Sequence, residues 1–171
     1  MATPPASFGL LLNQDAASVS FRPMTHSDLA KVLTNERAAY SHPWTEGIFR
    51  NCLHSDYENW VVDQDGDLCG HAVLSFTLDE AHLLNLCVAP GYQRKGLGRR
   101  VLDFVIERAQ RVGAKSLFLE VRASNEPAVL LYESTGFREV GRRRGYYPAA
   151  RGREDALVMM LPLADDMMDL C

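Results

Sequence analysis

A short basic loop with two glycines carries the clearest chemical signal in the sequence. The loop follows an apolar stretch typical of a strand and precedes a stretch with helical apolar spacing. The first N–H groups of a helix have no partner within it and carry the positive end of its dipole, so they attract anions. Glycines let a phosphate approach the backbone, and basic side chains add positive charge. The loop consists of Gln93, Arg94, Lys95, Gly96, Leu97, Gly98 and Arg99. We predict that it binds a diphosphate.

Two widespread phosphate motifs are absent from this loop. A P-loop requires G-x-x-x-x-G-K-[ST], which the sequence does not contain, and a dinucleotide fingerprint requires a third glycine where the chain has Val101. The alternative to a phosphate site is an ordinary glycine-containing turn followed by a solvated basic helix start.

A second group of polar residues follows the next predicted strand. Glu120 lies close to the end of that strand, Asn125 can cap the following helix, and Tyr132 comes seven residues after Asn125. Two helical turns place Asn125 and Tyr132 on one face, so all three side chains can converge on a single cleft. Each also has a structural explanation by itself, as a strand end, a helix cap and a core aromatic residue.

Ordinary pKa values limit what Glu120 can do to an amine. A chain-terminal amine has a pKa of about 7.7–8.0 and a glutamate about 4.3, so direct proton removal is unfavourable by roughly 5 kcal/mol. Either burial raises the pKa of the Glu120 carboxyl group, or Glu120 works through water and mainly positions the amine. A lysine, with a pKa of about 10.4, is almost wholly charged near neutral pH. The group therefore suits α-amines better than lysines.

These residues require a mixed α/β frame. The spacing of apolar residues, caps and glycines predicts strands over 19–22, 59–63, 68–78, 80–88, 116–121, 137–145 and 155–161, with helices over 28–40, 45–53, 97–112 and 125–135. A strand–helix–strand unit flanked by hairpins implies a single α/β domain with a mixed, mainly antiparallel sheet flanked by helices. We expect a loose leader over 1–18, the domain over 19–162 and an acidic tail over 163–171.

Composition excludes several classes of protein. The 171 residues suffice for one domain, and the net charge of −4 argues against general nucleic-acid binding. No apolar stretch is long enough for a spanning helix, and the start of the chain is a poor signal peptide, so we expect a cytoplasmic protein. The cysteines and histidines lack metal-site spacing, which predicts reduced, apolar cysteines and no metal.

The loop pattern Q/R-x-x-G-x-G/A, written here from Gln93 to Gly98, resembles the acetyl-CoA signature of the Gcn5-related N-acetyltransferase superfamily. The segments at 119–125 and 131–137 resemble its later motif. The segments at 42–45, 146–148 and 152–156 are similar to those of its bacterial ribosomal-protein-alanine N-acetyltransferases. The resemblance covers about residues 19–162. It implies the acetyltransferase (GNAT) fold, in which the sheet splits between two central strands, here those over 80–88 and 116–121.

The resemblance also implies a role for each motif residue. The backbone of Leu86, Cys87 and Val88 would hold the pantetheine arm and the oxyanion, and the loop from Gln93 to Arg99 the pyrophosphate. Asn125 would contact the cofactor arm, Glu120 would accept a proton and Tyr132 would donate one. Relatives often carry alanine at Cys87, which leaves acyl-enzyme chemistry there as a minor alternative.

The implied reaction moves an acetyl group from acetyl-CoA to the N-terminal alanine of a small-subunit ribosomal protein, by direct attack of the amine. Tyr146, Tyr147 and the arginines near them could frame the incoming peptide. We expect a monomer that contacts neither nucleic acid nor membrane. Alternatives are an enzyme of the same fold that acts on lysines, polyamines or several protein N-termini, and a non-catalytic acyl-CoA sensor.

Overall fold

A computed structural model describes residues 18–163. The helices are α1 (Leu29–Ala39), α2 (Glu46–His54), α3 (Leu97–Arg111) and α4 (Glu126–Ser134). The strands are β1 (Val19–Pro23), β2 (Glu58–Gln64), β3 (Asp67–Thr77), β4 (Glu80–Val88), β5 (Ser116–Arg122), β6 (Arg138–Pro148) and β7 (Arg153–Pro162). None of the helices within 18–163 has the length and apolar character that a membrane crossing requires. The predicted leader up to residue 17 and the tail from residue 164 lie outside the described residues.

The seven strands form one sheet in the order β1-β2-β3-β4-β5-β7-β6. Every neighbouring pair is antiparallel except β4 and β5, which are parallel and are joined through α3. This confirms the predicted fold class, a mixed and mainly antiparallel sheet flanked by helices. The strands and helices match the predicted ones, with shifts confined to their ends.

The parallel pair stays together for only part of its length. Residues 80–83 of β4 pair with residues 116–119 of β5, and beyond them the two strands separate. The separation coincides with a β-bulge, because Leu83 pairs with Leu74 and Asn85 with Val73, so Leu84 has no partner on β3. A bulge bends its strand and strengthens the local twist. The bend at Leu84 therefore opens the predicted split in the sheet.

Two apolar clusters hold the helices on opposite faces of this sheet. Successive strand residues point to opposite faces, so Val61 belongs to one cluster and Val62 to the other. The first cluster joins α1 and α2 to β2 and β3. The second packs the buried side of α3 against the strands; from α3 it includes Leu97, Val101, Leu102, Val105 and Ala109, as the apolar spacing predicted. The split in the sheet is thus fixed between two packed layers.

Candidate active site

A cavity of about 450 Å³ opens where β4 and β5 separate. Its walls come from β4, β5, α4, the end of α1 and the loop before α3. The lining includes eight of the predicted site residues: Leu86, Val88, Gln93, Arg94, Gly98, Glu120, Asn125 and Tyr132. The fold therefore brings the two predicted groups of polar residues to one place.

The loop before α3 presents free backbone donors. Gly96 precedes the helix with φ +80°, a left-handed conformation that favours glycine. The first bond into the helix runs from the Arg100 N–H to the Gly96 carbonyl at 3.2 Å. Within 18–163, the N–H groups of residues 96–99 find no acceptor. These four donors point out of the start of a fifteen-residue helix, an arrangement suited to a phosphate.

The side chains of this loop divide into four sets. Gln93 ties the loop to the end of β4, because its Nε2 donates to the Val88 carbonyl at 2.9 Å. Lys95 donates to the Gly91 carbonyl, and Arg99 pairs with Asp103 on α3 at 3.0 Å. Leu97 is buried in the core. Arg94 lines the cavity and makes no ion pair with another residue of the described chain, so its charge is available to an anion.

The part of β4 beyond the bulge forms one wall. Leu86 and Val88 line the cavity, and the Tyr40 hydroxyl donates to the Leu86 carbonyl. The Cys87 side chain is fully buried and is not part of the lining. Burial raises the pKa of the Cys87 thiol well above its ordinary value, which keeps it protonated. A thiol in that state is a poor nucleophile, and this argues against acyl-enzyme chemistry.

Glu120 is held from across the sheet. Its Oε1 lies 2.6 Å from Nε of Arg143 on β6, and its side chain is about one quarter exposed. The charge of Glu120 also raises the pKa of the Tyr146 phenol. The carboxylate thus reaches the cavity already oriented by a side chain of β6.

Asn125 and Tyr132 mark the two ends of α4. The Oδ1 of Asn125 accepts from the Ala128 N–H at 3.4 Å, so the side chain caps the helix while it also lines the cavity. Tyr132 is buried against Phe137. Its hydroxyl makes no hydrogen bond to any residue of the described range, and burial raises its pKa to about 12. The phenol therefore remains protonated and free to donate to a ligand.

Tyr147 supplies a second aromatic wall. The Arg122 guanidinium lies over the Tyr147 ring, 4.5 Å from its centre. Burial together with the charge of Glu120 raises the pKa of the Tyr147 phenol to about 12. Tyr146 stands edge-on to it at 4.9 Å and is largely exposed. Of the two, Tyr147 lines the cavity and Tyr146 does not.

The sequence interpretation missed a buried polar network behind the cavity. Glu36 on α1 accepts from the Trp44 N–H at 3.0 Å and from Nδ2 of Asn85 at 3.2 Å, and its other oxygen contacts Nε2 of His71 at 3.0 Å. Glu36 and Asn85 both line the cavity. Cys87 completes a buried trio with Glu36 and His71 whose ligand atoms lie within 4.8 Å of one another.

A signal for Glu36 was present in the sequence. Leu29, Val32, Leu33 and Glu36 follow the spacing i, i+3, i+4 and i+7, which puts all four on one helix face. A glutamate in line with three buried apolar residues marks a buried carboxylate. Arg143 had no comparable signal, because it lies within a run of three arginines of which only the structure singles one out.

Comparisons with known proteins agree with this geometry. The model of the acetyltransferase (GNAT) family matches residues 27–137. The [ribosomal protein bS18]-alanine N-acetyltransferase of Escherichia coli K12 is 44% identical over 138 residues, which cover 81% of this chain and 93% of that protein. The enzyme of the same name from Salmonella typhimurium is 41% identical over 82% of this chain and 95% of its own length.

A solved structure extends the likeness to three dimensions. The crystal structure of the ribosomal-protein-S18-alanine N-acetyltransferase from Escherichia coli superposes with a TM-score of 0.82 at 40% identity, covering 90% of this chain and 99% of that one. The split sheet, the anion-binding loop and the polar cavity thus occur in a chain that belongs to the acetyltransferase (GNAT) family.

Proposed function

We propose that the protein is an N-alpha-acetyltransferase that moves the acetyl group of acetyl-CoA to the N-terminal alanine of ribosomal protein bS18. The observation that carries this proposal is the cavity that joins Arg94 and Gly98, at the helix start with its free N–H groups, to Glu120, Tyr132 and Tyr147. The names of relatives more than 40% identical over most of the chain support the substrate.

The residues fit acetyl-CoA in three places. The N–H groups of residues 96–99 and the side chain of Arg94 would bind the diphosphate. The pantetheine arm would lie along the unpaired edge of β4, where Leu86 and Val88 offer backbone groups. The thioester would then sit between β4 and Tyr132, with its carbonyl oxygen at an N–H group on the free edge of β4, that of Leu86 or Val88, as an oxyanion site.

Attack by the amine is direct in this proposal. The nitrogen lone pair forms a bond to the thioester carbon, and the carbonyl electron pair moves to oxygen. When the adduct collapses, the carbon–sulfur bond breaks and the CoA thiolate leaves beside Tyr132, whose hydroxyl donates a hydrogen bond to the sulfur. The nitrogen loses its extra proton to solvent water while Glu120 positions the amine, because transfer from an ordinary amine to an ordinary carboxylate is unfavourable.

The proton on Tyr132 is expected to stay there. Transfer from a phenol with a pKa of about 12 to a thiolate with an ordinary pKa of about 8.5 is unfavourable by roughly 5 kcal/mol. A hydrogen bond that strengthens as charge builds on sulfur is sufficient to stabilise the leaving group. The thiolate is then protonated by solvent after release.

The test is release of free CoA thiol with matched peptides. One peptide begins with alanine and the bS18 sequence, a second has the same sequence with a blocked terminus and an internal lysine, and spermidine serves as a polyamine. We expect the first to react at least a hundredfold faster than the others, because its amine is partly neutral near pH 7. Equal rates would favour the broad-specificity alternative, and acetyl-CoA binding without any release would favour a sensor.

A further inference from the structure

Glu36 is a buried carboxylate whose hydrogen-bond partners are all neutral donors. His71 Nδ1 is buried and has no partner within the described residues. A bare nitrogen lone pair is cheaper to leave unsatisfied there than an N–H would be, so the proton belongs on Nε2, which donates to Glu36. Trp44 and Asn85 supply the other two donors. The Glu36–His71 pair accordingly carries one net negative charge.

No cation of the described chain balances this charge. His71 is the sole ion-pairing partner of Glu36 among residues 18–163, whereas Glu120 has Arg143. Glu36 is 1% exposed, so water does not screen it. A buried charge without a counter-ion is costly and is retained where a partner arrives from outside.

The position of Glu36 connects this charge to the reacting atoms. Glu36 borders the cavity, and its bond to Asn85 places it beside Leu86, the next residue of β4. Tyr40, one helical turn after Glu36, donates to the Leu86 carbonyl. The uncompensated carboxylate is therefore on the α1 side of the same β4 segment that would hold the thioester.

We propose that Glu36 holds the positive charge of the acceptor nitrogen, first in the ammonium group that enters the cavity and then in the tetrahedral adduct. This inference rests on the proposed acetyltransferase function. The ammonium group first loses one proton to solvent water, and attack of the resulting neutral amine on the thioester then leaves a positive charge on nitrogen and a negative charge on oxygen. Backbone N–H groups of β4 would stabilise the oxygen and Glu36 the nitrogen, so both charges of the adduct meet a preorganised group.

The test compares two peptides that differ in the amine alone. One begins with alanine, and the other carries a propionyl group in its place, which is the same residue without its amine. Dissociation constants are measured by calorimetry with the protein loaded with CoA, which cannot donate an acetyl group. Wild type should bind the alanine peptide roughly tenfold or more tightly than the propionyl peptide.

Variants at position 36 assign that preference. Glu36→Gln should bring the two dissociation constants to within about twofold and lower kcat/KM roughly a hundredfold or more, with the Kd of acetyl-CoA unchanged. Glu36→Asp, which keeps the charge, should recover part of the preference. If the glutamine variant does not fold, the double variant Glu36→Leu with His71→Leu removes the charge, because buried pairs replaced as a whole by apolar side chains are frequently tolerated.

Two outcomes would contradict the proposal in separate ways. A neutral variant that keeps the wild-type preference for the alanine peptide would remove Glu36 from amine recognition, even if its turnover fell. A wild-type protein that neither binds nor acetylates the alanine peptide would contradict the proposed function itself. The first result leaves the acetyltransferase reaction in place, so the two failures are distinguishable.

Discussion

Glu120 on β5 and Arg143 on β6 form an ion pair across the intervening strand β7, with Oε1 and Nε 2.6 Å apart. The arginine is more than half exposed, so the pair adds little to stability. We expect its effect to be on orientation, because a guanidinium so close to a carboxylate restricts the directions in which the carboxylate can turn. Arg143 is thus proposed as a positioning residue that acts through Glu120.

Replacement of Arg143 should separate turnover from cofactor binding. We expect Arg143→Met to lower kcat for the alanine peptide roughly tenfold, because Glu120 loses its fixed orientation. The Kd of acetyl-CoA should not change, since the pyrophosphate loop is remote from β6. Steady-state kinetics and calorimetry measure the two quantities, and Arg143→Lys should restore part of kcat.

The neighbouring Arg142 gives a matched control. It pairs with Glu139 on its own strand and does not line the cavity. Arg142→Met should leave kcat within about twofold of wild type. Equal losses in both variants would mean that the general charge of β6 matters and not the contact with Glu120.

Loss of the Tyr132 hydroxyl should affect chemistry and spare binding. The ring of Tyr132 still packs against Phe137 in Tyr132→Phe, so the fold and acetyl-CoA affinity should persist. We expect kcat to fall roughly 10²–10³-fold, as it does when a preorganised donor is removed. A variant with wild-type kcat, in an assay where chemistry is rate-limiting, would exclude Tyr132 from the mechanism.

The pKa of Tyr132 also predicts its behaviour with pH. Burial raises it to about 12, so the phenol is protonated from about pH 7 to about pH 10. Tyr132 should therefore cause no decline of kcat in this interval. A decline that disappears in Tyr132→Phe would show that the hydroxyl ionises much earlier than its burial implies.

The two glycines of the loop should respond differently to substitution. Gly96 has φ +80°, so any side chain strains it, whereas the helical Gly98 would accept a Cβ at 3.5 Å from Leu131. Gly98→Val is therefore the cleaner test of the phosphate site. It should fold and weaken acetyl-CoA binding at least tenfold in calorimetry. An unchanged Kd would make the segment an ordinary turn.

Asn125 has two possible roles that one variant can separate. Serine also caps helices, so Asn125→Ser should keep the melting temperature, while Asn125→Ala should cost about 1 kcal/mol of unfolding free energy. If the amide contacts the cofactor, both variants lose acetyl-CoA affinity. A serine variant with wild-type stability and wild-type affinity would reduce Asn125 to a cap.

Local sequence patterns were sufficient to predict the helices and strands, because caps and apolar spacing along the chain indicate the same elements. The Asn125 cap was confirmed by the bond from the Ala128 N–H to its side chain. The apolar stripe of α3 faces the core as its spacing required. Each of these features depends on neighbours within one helix, which a sequence displays directly.

The parts that were missed depend on partners distant in sequence. Glu36 meets His71 and Asn85 from separate strands, and Arg143 reaches Glu120 over a third strand. Such contacts follow from strand order and register, which the spacing of residues within one element does not encode. The bulge at Leu84 belongs here too, because only the pairing with β3 reveals the extra residue.

The short pairing between β4 and β5 has a consequence for the lifetime of the protein. Four residue pairs between β4 and β5 join the two parts of the sheet, β1–β4 and β5–β7. Acetyl-CoA bound in the gap would contact both parts of the sheet. A ligand that binds only the folded chain raises the free energy of unfolding as the ligand concentration rises. Amide hydrogen exchange in β4 and in β5 should therefore slow as acetyl-CoA is added. The stability of the folded protein would then depend on how much acetyl-CoA is available to it.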